Sequence, residues 1–195
     1  MSHWPGPTIK AFIVLVACTA ALLPAPGRGR PWTILLDSRV LLAAIAWRTN
    51  LTHRQLADLF GVVLATVHRV IDRMTPLVAG LLEPPGGRRS DLWVVDGTPA
   101  PGHDRTMAAC SKNYRRSVNF QVTIRARDRR IVAVGDNWLG NRNDIVVYRA
   151  TMADQVTRHR LKDFQVLRQH HRRGKHFNDT ARAVAVLHSL KIDYV

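Results

Sequence analysis

The stretch Trp93-Val94-Val95-Asp96-Gly97-Thr98 decides how the second half of the chain is interpreted. Residues 92–95 are apolar on both faces, a pattern typical of a central strand in a sheet that is covered on both sides. Asp96 is predicted to end this strand, and Gly97 would let another backbone approach closely because it has no side chain. A carboxylate at the end of a buried strand is a candidate ligand for a hard cation.

A strongly patterned segment lies between Asp96 and a second acid, Asp144, which follows 48 positions later (144 − 96) in a Gly/Asn-rich turn. Residues 117–125 alternate between apolar and polar side chains, which predicts a half-buried strand. Its apolar face would consist of Val118, Phe120, Val122 and Ile124. Residues 127–129 should turn the chain, and residues 130–134 should return as the partner strand.

The charge balance points to a polyanionic partner. The chain has 29 Lys and Arg against 14 Asp and Glu, a formal net charge of +15. Such an excess favours DNA or RNA, although a merely basic protein is the alternative. Of the 14 acids, 13 are Asp and one is Glu83, so any mechanism that needs a Glu downstream of Asp96 is excluded. Cys18 and Cys110 have neither zinc-ligand spacing nor a disulfide framework.

The turn around Asp144 has two interpretations. Asn143 and Asp144 can cap a helix that begins at Ile145, because both side chains accept hydrogen bonds from helical N–H groups. Asp144 could instead be a second metal ligand. On the same turn, Asn141 and Arg142 are candidate contacts to DNA or phosphate.

The first 30 residues form a separate segment. Residues 11–23 are apolar, but a run of 13 residues is too short to span a bilayer. A buried or frayed helix is the favoured interpretation, and the apolar core of a signal peptide is the alternative. Residues 24–31 are rich in Pro and Gly and are expected to act as a linker.

Short helices are predicted next. Asp37-Ser38 should cap a helix that runs through Trp47. Thr52 and Gln55 match a capping box, so a second helix should begin after Thr52 and continue to Phe60. Gly61 would end this helix in a tight turn.

The following residues predict a third helix and an outward-facing polar side. This helix should cover residues 64–74, and Thr75-Pro76 could open another short helix. Thr66, Arg69 and Arg73 are expected to face outward, with His68 nearer the edge. Two short helices joined through a Gly turn are typical of a helix-turn-helix, whose second helix enters the DNA groove. An ordinary three-helix bundle with solvated arginines is the alternative.

The last quarter of the chain is basic. Residues 167–176 form a run of Arg, His and Lys that could track phosphates or form a solvated loop. Asp179 is predicted to cap a final helix with an apolar face.

Taken together, these features resemble the DDE-superfamily transposases of bacterial insertion sequences, the Harbinger-like group with an N-terminal helix-turn-helix. The resemblance is carried by blocks in a fixed order, spread over residues 30–190. The blocks are Trp47-Arg48-Thr49-Asn50-Leu51-Thr52, Gln55-Leu56-Ala57, Phe60-Gly61-Val62, Val94-Val95-Asp96-Gly97-Thr98, Ser111-Lys112-Asn113-Tyr114-Arg115, Gly140-Asn141-Arg142-Asn143-Asp144 and Leu187-His188-Ser189-Leu190.

The resemblance implies an α+β chain, with a helical helix-turn-helix domain followed by an incomplete ribonuclease-H-like catalytic domain. The implied boundaries are an N-terminal apolar arm and linker at 1–30, the DNA-binding domain at 31–83, a linker at 84–90, and the partial catalytic domain with a basic C-terminal segment at 91–195. The implied activity is DNA cleavage and strand transfer, with a divalent metal, usually Mg²⁺, held by Asp96 and Asp144 as metal ligands and catalytic residues.

The resemblance also implies DNA contacts and an incomplete active site. Lys112, Arg115 and Arg116 would bind the DNA backbone, since phosphate contacts position a duplex without reading its sequence. Surface charge without a DNA contact is the alternative for each of them. The family's fourth strand and its catalytic Glu have no counterpart here, so the chain is expected to be a truncated, inactive transposase. The partners would be transposon-end DNA and a second copy or an intact transposase, with no membrane and a cytoplasmic, nucleoid-associated location. A non-enzymatic DNA-binding protein, acting as a transposon-end binder or inhibitor, is the alternative.

Overall fold

The computed structural model describes residues 8–24, 31–82, 93–102, 104, 106, 108–110, 116–143, 146–147 and 176–193. The described helices are α1 (Ile9–Ala21), α2 (Leu36–Arg48), α3 (His53–Phe60), α4 (Leu64–Ala79) and α5 (His176–Asp193). The strands are β1 (Trp93–Pro101), β2 (Ser117–Arg125), β3 (Arg130–Val134) and β4 (Trp138–Leu139). The α+β expectation is therefore confirmed for this part of the chain.

The sheet is an antiparallel meander around β2. β1 pairs with β2 along its whole length, from Trp93 opposite Arg125 to Pro101 opposite Ser117. β3 pairs with the end of β2 and β4 with its beginning. The predicted hairpin and its turn are confirmed.

β2 is buried on both faces, which its alternating sequence did not predict. The predicted apolar face is buried, and Phe120 is fully covered. The opposite face is buried as well, although it carries Asn119, Gln121 and Thr123. Strands on both sides and packing on both faces make β2, rather than β1, the central strand of the described sheet.

The prediction that Asp96 ends a central strand is wrong. β1 continues for five residues beyond Asp96, to Pro101, and Asp96 pairs with Val122 in the middle of the ladder. Within the described residues β1 pairs with β2 alone. Pro99 and Pro101 fit such an edge position because a proline cannot donate the hydrogen bond that a second neighbouring strand would need.

One hydrophobic core joins the helical and sheet regions. α5 packs against α4 on one side and β3 on the other. Its Ser189 hydroxyl donates to the Ile131 carbonyl over 3.2 Å. α1 is a packed helix that buries Ala11, Leu15 and Thr19 and contacts α2 and α5. None of the described helices is long and apolar enough to cross a membrane.

Three predicted helix boundaries are wrong. α2 begins at Leu36 and has no side-chain cap, so Asp37 lies within its first turn, where its carboxylate accepts from the Ser38 N–H. α5 begins at His176, which places Asp179 in its first turn instead of at its N-cap. No new helix opens at Pro76, because α4 continues through it to Ala79.

The continuation of α4 past Pro76 depends on packing against the core. Pro76 cannot donate to the carbonyl one turn earlier, a defect that usually bends or ends a helix. The buried Thr75 hydroxyl donates to the Ile71 carbonyl over 2.5 Å. Burial of Met74, Val78 and Ala79 in the core then extends the helix past the proline.

Candidate nucleic-acid interface

Local sequence determines where α3 begins and ends. The Thr52 hydroxyl accepts from the Gln55 N–H over 3.3 Å, and the Gln55 amide oxygen accepts from the Thr52 N–H over 2.8 Å, so the predicted capping box is confirmed. Gly61 ends α3 in the left-handed region at φ 61°. Other residues are strained there, so Gly61 sets the turn that leads into α4.

α4 presents an exposed stripe along one side. Its inward side packs into the core through Val67, Val70, Ile71, Met74 and Val78. The exposed residues recur three or four positions apart and are Leu64, Ala65, His68, Arg69, Asp72, Arg73 and Pro76. This stripe is the surface that a recognition helix would offer to a DNA groove.

The prediction that Thr66 faces outward is wrong. Thr66 is only 7% exposed, because it lies one turn before the buried Val70 on the same side of the helix. Its hydroxyl accepts from Nη2 of Arg69 over 3.2 Å, and Nε of Arg69 donates to the Ala65 carbonyl over 3.3 Å. Thr66 therefore positions the Arg69 side chain, and His68 takes the outward place.

Arg73 belongs to a cluster that the sequence did not reveal. Its guanidinium carbon lies 5.2 Å from the ring centroid of Trp32, and that of Arg39 lies 5.0 Å from the same ring. Burial and, to a smaller extent, the charge of Arg73 hold the pKa of Arg39 below its usual value. Nε of Arg39 is buried without a hydrogen-bond partner among the described residues. Two cations this close would be stabilised by an anion.

A second basic surface lies at the beginning of β2. Ser117 forms a bridge with Ala109 and accepts a 2.9 Å hydrogen bond from the Gly140 N–H. A side chain at Gly140 would collide with the Ser117 backbone, so glycine is required for this close approach. The contact brings Arg116 beside the turn that carries the exposed Asn141 and Arg142.

The turn after Gly140 is also tied to the sheet. The Asn119 side-chain amide donates to the Arg142 carbonyl over 3.5 Å. The Asn143 carbonyl accepts from the N–H groups of Val146 and Val147, as expected where a helical turn begins. Asp144, Lys112 and Arg115 lie outside the described residues, so their predicted roles stay predictions.

Asp96 lies on the apolar face of the sheet, opposite Val122. Val122 lies five positions after Ser117 in β2, which places Asp96 about 17 Å along the strand from the second basic surface. A pair of hard cations needs several converging oxygen ligands. The described residues contain no group of three His, Cys, Asp or Glu side chains that could hold a metal. These residues alone therefore do not fit a site for a pair of such cations.

Three residues of the helical interface were missed in the sequence. Trp32 and Arg39 were missed because their contact with Arg73 is between separate elements. His53 was missed because its contact with His68, at 3.3 Å between ring nitrogens, spans 15 positions. No local pattern marks such contacts.

Comparison with known proteins agrees with the helical part of this surface. Residues 35–84 match the family described as the helix-turn-helix of DDE superfamily endonuclease. The chain is 50% identical over 118 residues to the candidate transposase for insertion sequence element IS112 of Streptomyces albus G. The match covers 60% of this chain and 45% of that relative. No solved structure matches the chain.

Proposed function

We propose that the chain binds duplex DNA through α3 and α4, and that this DNA is the end of a transposon. The proposal is supported by the similarity of the chain to DDE-superfamily transposases with an N-terminal helix-turn-helix. The observation that carries this proposal is the exposed stripe of α4, which follows a capped helix and a left-handed glycine turn. α4 has 16 residues and is thus about 24 Å long, enough to cross a major groove.

The stripe divides into two parts along α4. The N-terminal residues of a recognition helix contact base edges. Ala65, His68 and Arg69 occupy that position and would read the bases. Arg73 lies further along the helix beside Arg39, where the two guanidiniums suit a backbone phosphate.

Most of the positive charge lies outside the helix-turn-helix. Residues 31–83 contain five Arg against three Asp and one Glu, a net charge of +1, whereas residues 84–195 contain 21 Lys and Arg against 10 Asp, a net charge of +11. Residues 84–195 would therefore supply much of the non-specific affinity for DNA. Arg116, Asn141 and Arg142 are the described contacts proposed for this role, and Lys112 and Arg115 are proposed with them.

A second candidate function is metal-dependent cleavage of DNA by a ribonuclease-H-like domain. It is favoured by the position of Asp96 on a paired strand of an antiparallel sheet. Asp96 and Asp144 would be the ligands of a divalent metal, with Mg²⁺ the expected ion. The described residues supply too few converging ligands for two cations. We favour a DNA-binding protein without strand cleavage, because α3 and α4 supply the described contacts for binding, and such a protein could associate with a second copy or with an intact transposase.

Binding and nicking assays on the full chain separate these functions. The substrate would be a duplex selected from a random library by the wild-type protein. Arg69→Ala should weaken binding, whereas Asp96→Asn should leave it unchanged, and Mg²⁺ should produce no nicks. Arg127→Ala, in the exposed hairpin turn, is the matched control for the loss of one positive charge. Unchanged affinity in Arg69→Ala would contradict DNA binding by α4. Mg²⁺-dependent nicking that Asp96→Asn abolishes would establish the second function.

A further inference from the structure

The N-terminal end of α4 is apolar and exposed. Val63, the N-cap residue, is 68% exposed, and Leu64, the first helical residue, is 38% exposed. Ala65 is exposed as well, and these three residues form the apolar tip of α4. Their side chains have no hydrogen-bonding atom. A surface that covers the tip must therefore be apolar, because a polar group buried against it would lose its hydrogen bonds to water.

Arg69 lies beside the apolar tip, one turn after Ala65 on the exposed stripe of α4. The Ala65 carbonyl accepts from Nε of Arg69 over 3.3 Å, and the Thr66 hydroxyl accepts from Nη2 over 3.2 Å. These two bonds hold the guanidinium close to the tip. They use Nε and one Nη2 proton, so the edge formed by Nη1 and the second Nη2 proton is the part that suits a bidentate contact.

The base edges of the major groove offer one apolar group, the 5-methyl group of thymine. Guanine offers two acceptors, N7 and O6, that fit the paired donors of an arginine. We propose that the apolar tip reads thymine methyl groups and that Arg69 reads a guanine beside them. This inference rests on the proposed binding of duplex DNA through α4 and adds which bases that helix selects.

The rise of the helix sets the distance between the two kinds of base. Ala65 and Arg69 are four residues apart, which is about 6 Å along α4. Successive base pairs are about 3.4 Å apart, so the guanine lies within about two base pairs of the thymines. Any other base in a thymine position lacks the methyl group and would place polar atoms against the tip without a hydrogen bond. Thymine is therefore preferred there.

Removal of single methyl groups from the DNA tests the thymine contacts without any change in the protein. The full chain would select a duplex from a random library, and each thymine of the selected site would be replaced in turn by uracil, which lacks only the methyl group. At the thymines that the tip contacts, wild-type affinity should fall about fourfold, as expected for the loss of one buried methyl group. Thymines in the flanking sequence are the matched control and should have no effect.

Two protein variants assign the methyl contacts to the apolar tip. Val63→Ser removes the apolar side chain and supplies a preferred N-cap residue, so α4 should stay folded. Leu64→Ala shortens the other large side chain and keeps a strong helix former. Each variant should lose the preference for thymine over uracil at the position that its side chain contacts. Ile9→Ser, which removes a 79% exposed side chain from the first residue of α1, should keep the preference throughout.

Replacement of the neighbouring guanine by 7-deazaguanine tests the contact of Arg69. This base lacks the N7 acceptor, so the wild type should bind the altered duplex more weakly. In Arg69→Ala the same replacement should have no further effect. Equal losses in the two proteins would contradict the guanine assignment.

Two results would overturn the thymine assignment. One is a wild-type affinity that uracil leaves unchanged at every position, and the other is a thymine preference that Val63→Ser and Leu64→Ala both retain in full. If Arg69→Ala still weakens binding to the selected duplex, DNA binding through α4 stands and only the base assignment fails. A chain that selects no duplex, or one whose binding Arg69→Ala leaves intact, would contradict the proposed function and this inference together.

Discussion

The guanidinium of Arg73 lies over the indole of Trp32, with its central carbon 5.2 Å from the ring centroid. Arg39 lies against the same ring at 5.0 Å. Trp32 therefore holds two cations of different helices together, although burial and, to a smaller extent, the charge of Arg73 lower the pKa of Arg39. The segment before α2 thus orients the part of α4 that is proposed to contact a DNA phosphate.

Removal of this ring should destabilise the helical region. Trp32→Ala should lower the free energy of unfolding by about 1–2 kcal/mol, because two cation–π contacts of about 0.5–1 kcal/mol each are lost. Urea denaturation of the full chain measures the change. Trp32→Phe keeps an aromatic face and should recover part of the loss. Equal stability of Trp32→Ala and the wild type would show that the contacts are energetically negligible.

The capping box at the start of α3 should have a measurable effect. Thr52→Ala removes the hydroxyl that accepts from the Gln55 N–H, and the expected cost is about 1 kcal/mol. Thr52→Ser is the matched control, because it keeps the hydroxyl and should stay close to the wild type. Thermal unfolding followed by circular dichroism compares the three proteins. If the alanine and serine variants melt together, the hydroxyl does not stabilise α3.

The hairpin turn should contribute a pH-dependent term to stability. Nη2 of Arg125 lies 2.6 Å from Oδ2 of Asp128. This hydrogen bond is the main reason that the pKa of Asp128 is lowered, while burial acts in the opposite direction. A lowered folded-state pKa contributes stability above the unfolded value of about 3.9, and that contribution is lost as the pH falls through the folded value.

Comparison of the wild type with Asp128→Asn tests this dependence. The wild type should have the higher urea midpoint at pH 6, and this difference should close as the pH falls below the unfolded value of about 3.9 and through the lower folded value. The side chain of Asp128 is 35% exposed. Solvent screening should therefore keep the difference in free energy of unfolding between the two proteins below about 1 kcal/mol. In an Arg125→Gln background the difference should shrink at every pH. A difference that widens toward acid would contradict the assigned direction.

The sequence predicted the elements whose signals are local. The capping box of Thr52 and Gln55, the stop at Gly61 and the β2–β3 hairpin all depend on residues close together in the chain. Asp96 was correctly placed on a strand, but its position at a strand end was wrong. Pro99 and Pro101 are compatible with an edge strand, so the predicted strand could have been extended beyond Asp96.

Other features depend on packing between distant segments. Thr66 faces inward because the core lies on its side of α4, and α4 passes Pro76 because Val78 and Ala79 are buried. The buried polar face of β2 follows from elements packed on both sides of the sheet. The ring contact of Trp32 with Arg39 and Arg73, and that of His53 with His68, likewise require the folded arrangement of the helices.

The salt dependence of DNA binding tests the central claim most directly. Each phosphate contact adds about 0.9 to the magnitude of the slope of log K against log salt concentration. Arg73→Ala should therefore reduce that slope by about 1 on a selected duplex, and Arg39→Ala should do the same. Arg127→Ala is the control with the same loss of charge and should leave the slope nearly unchanged. Slopes for Arg73→Ala and Arg39→Ala that equal the control would contradict DNA binding through α4 and the Trp32 cluster.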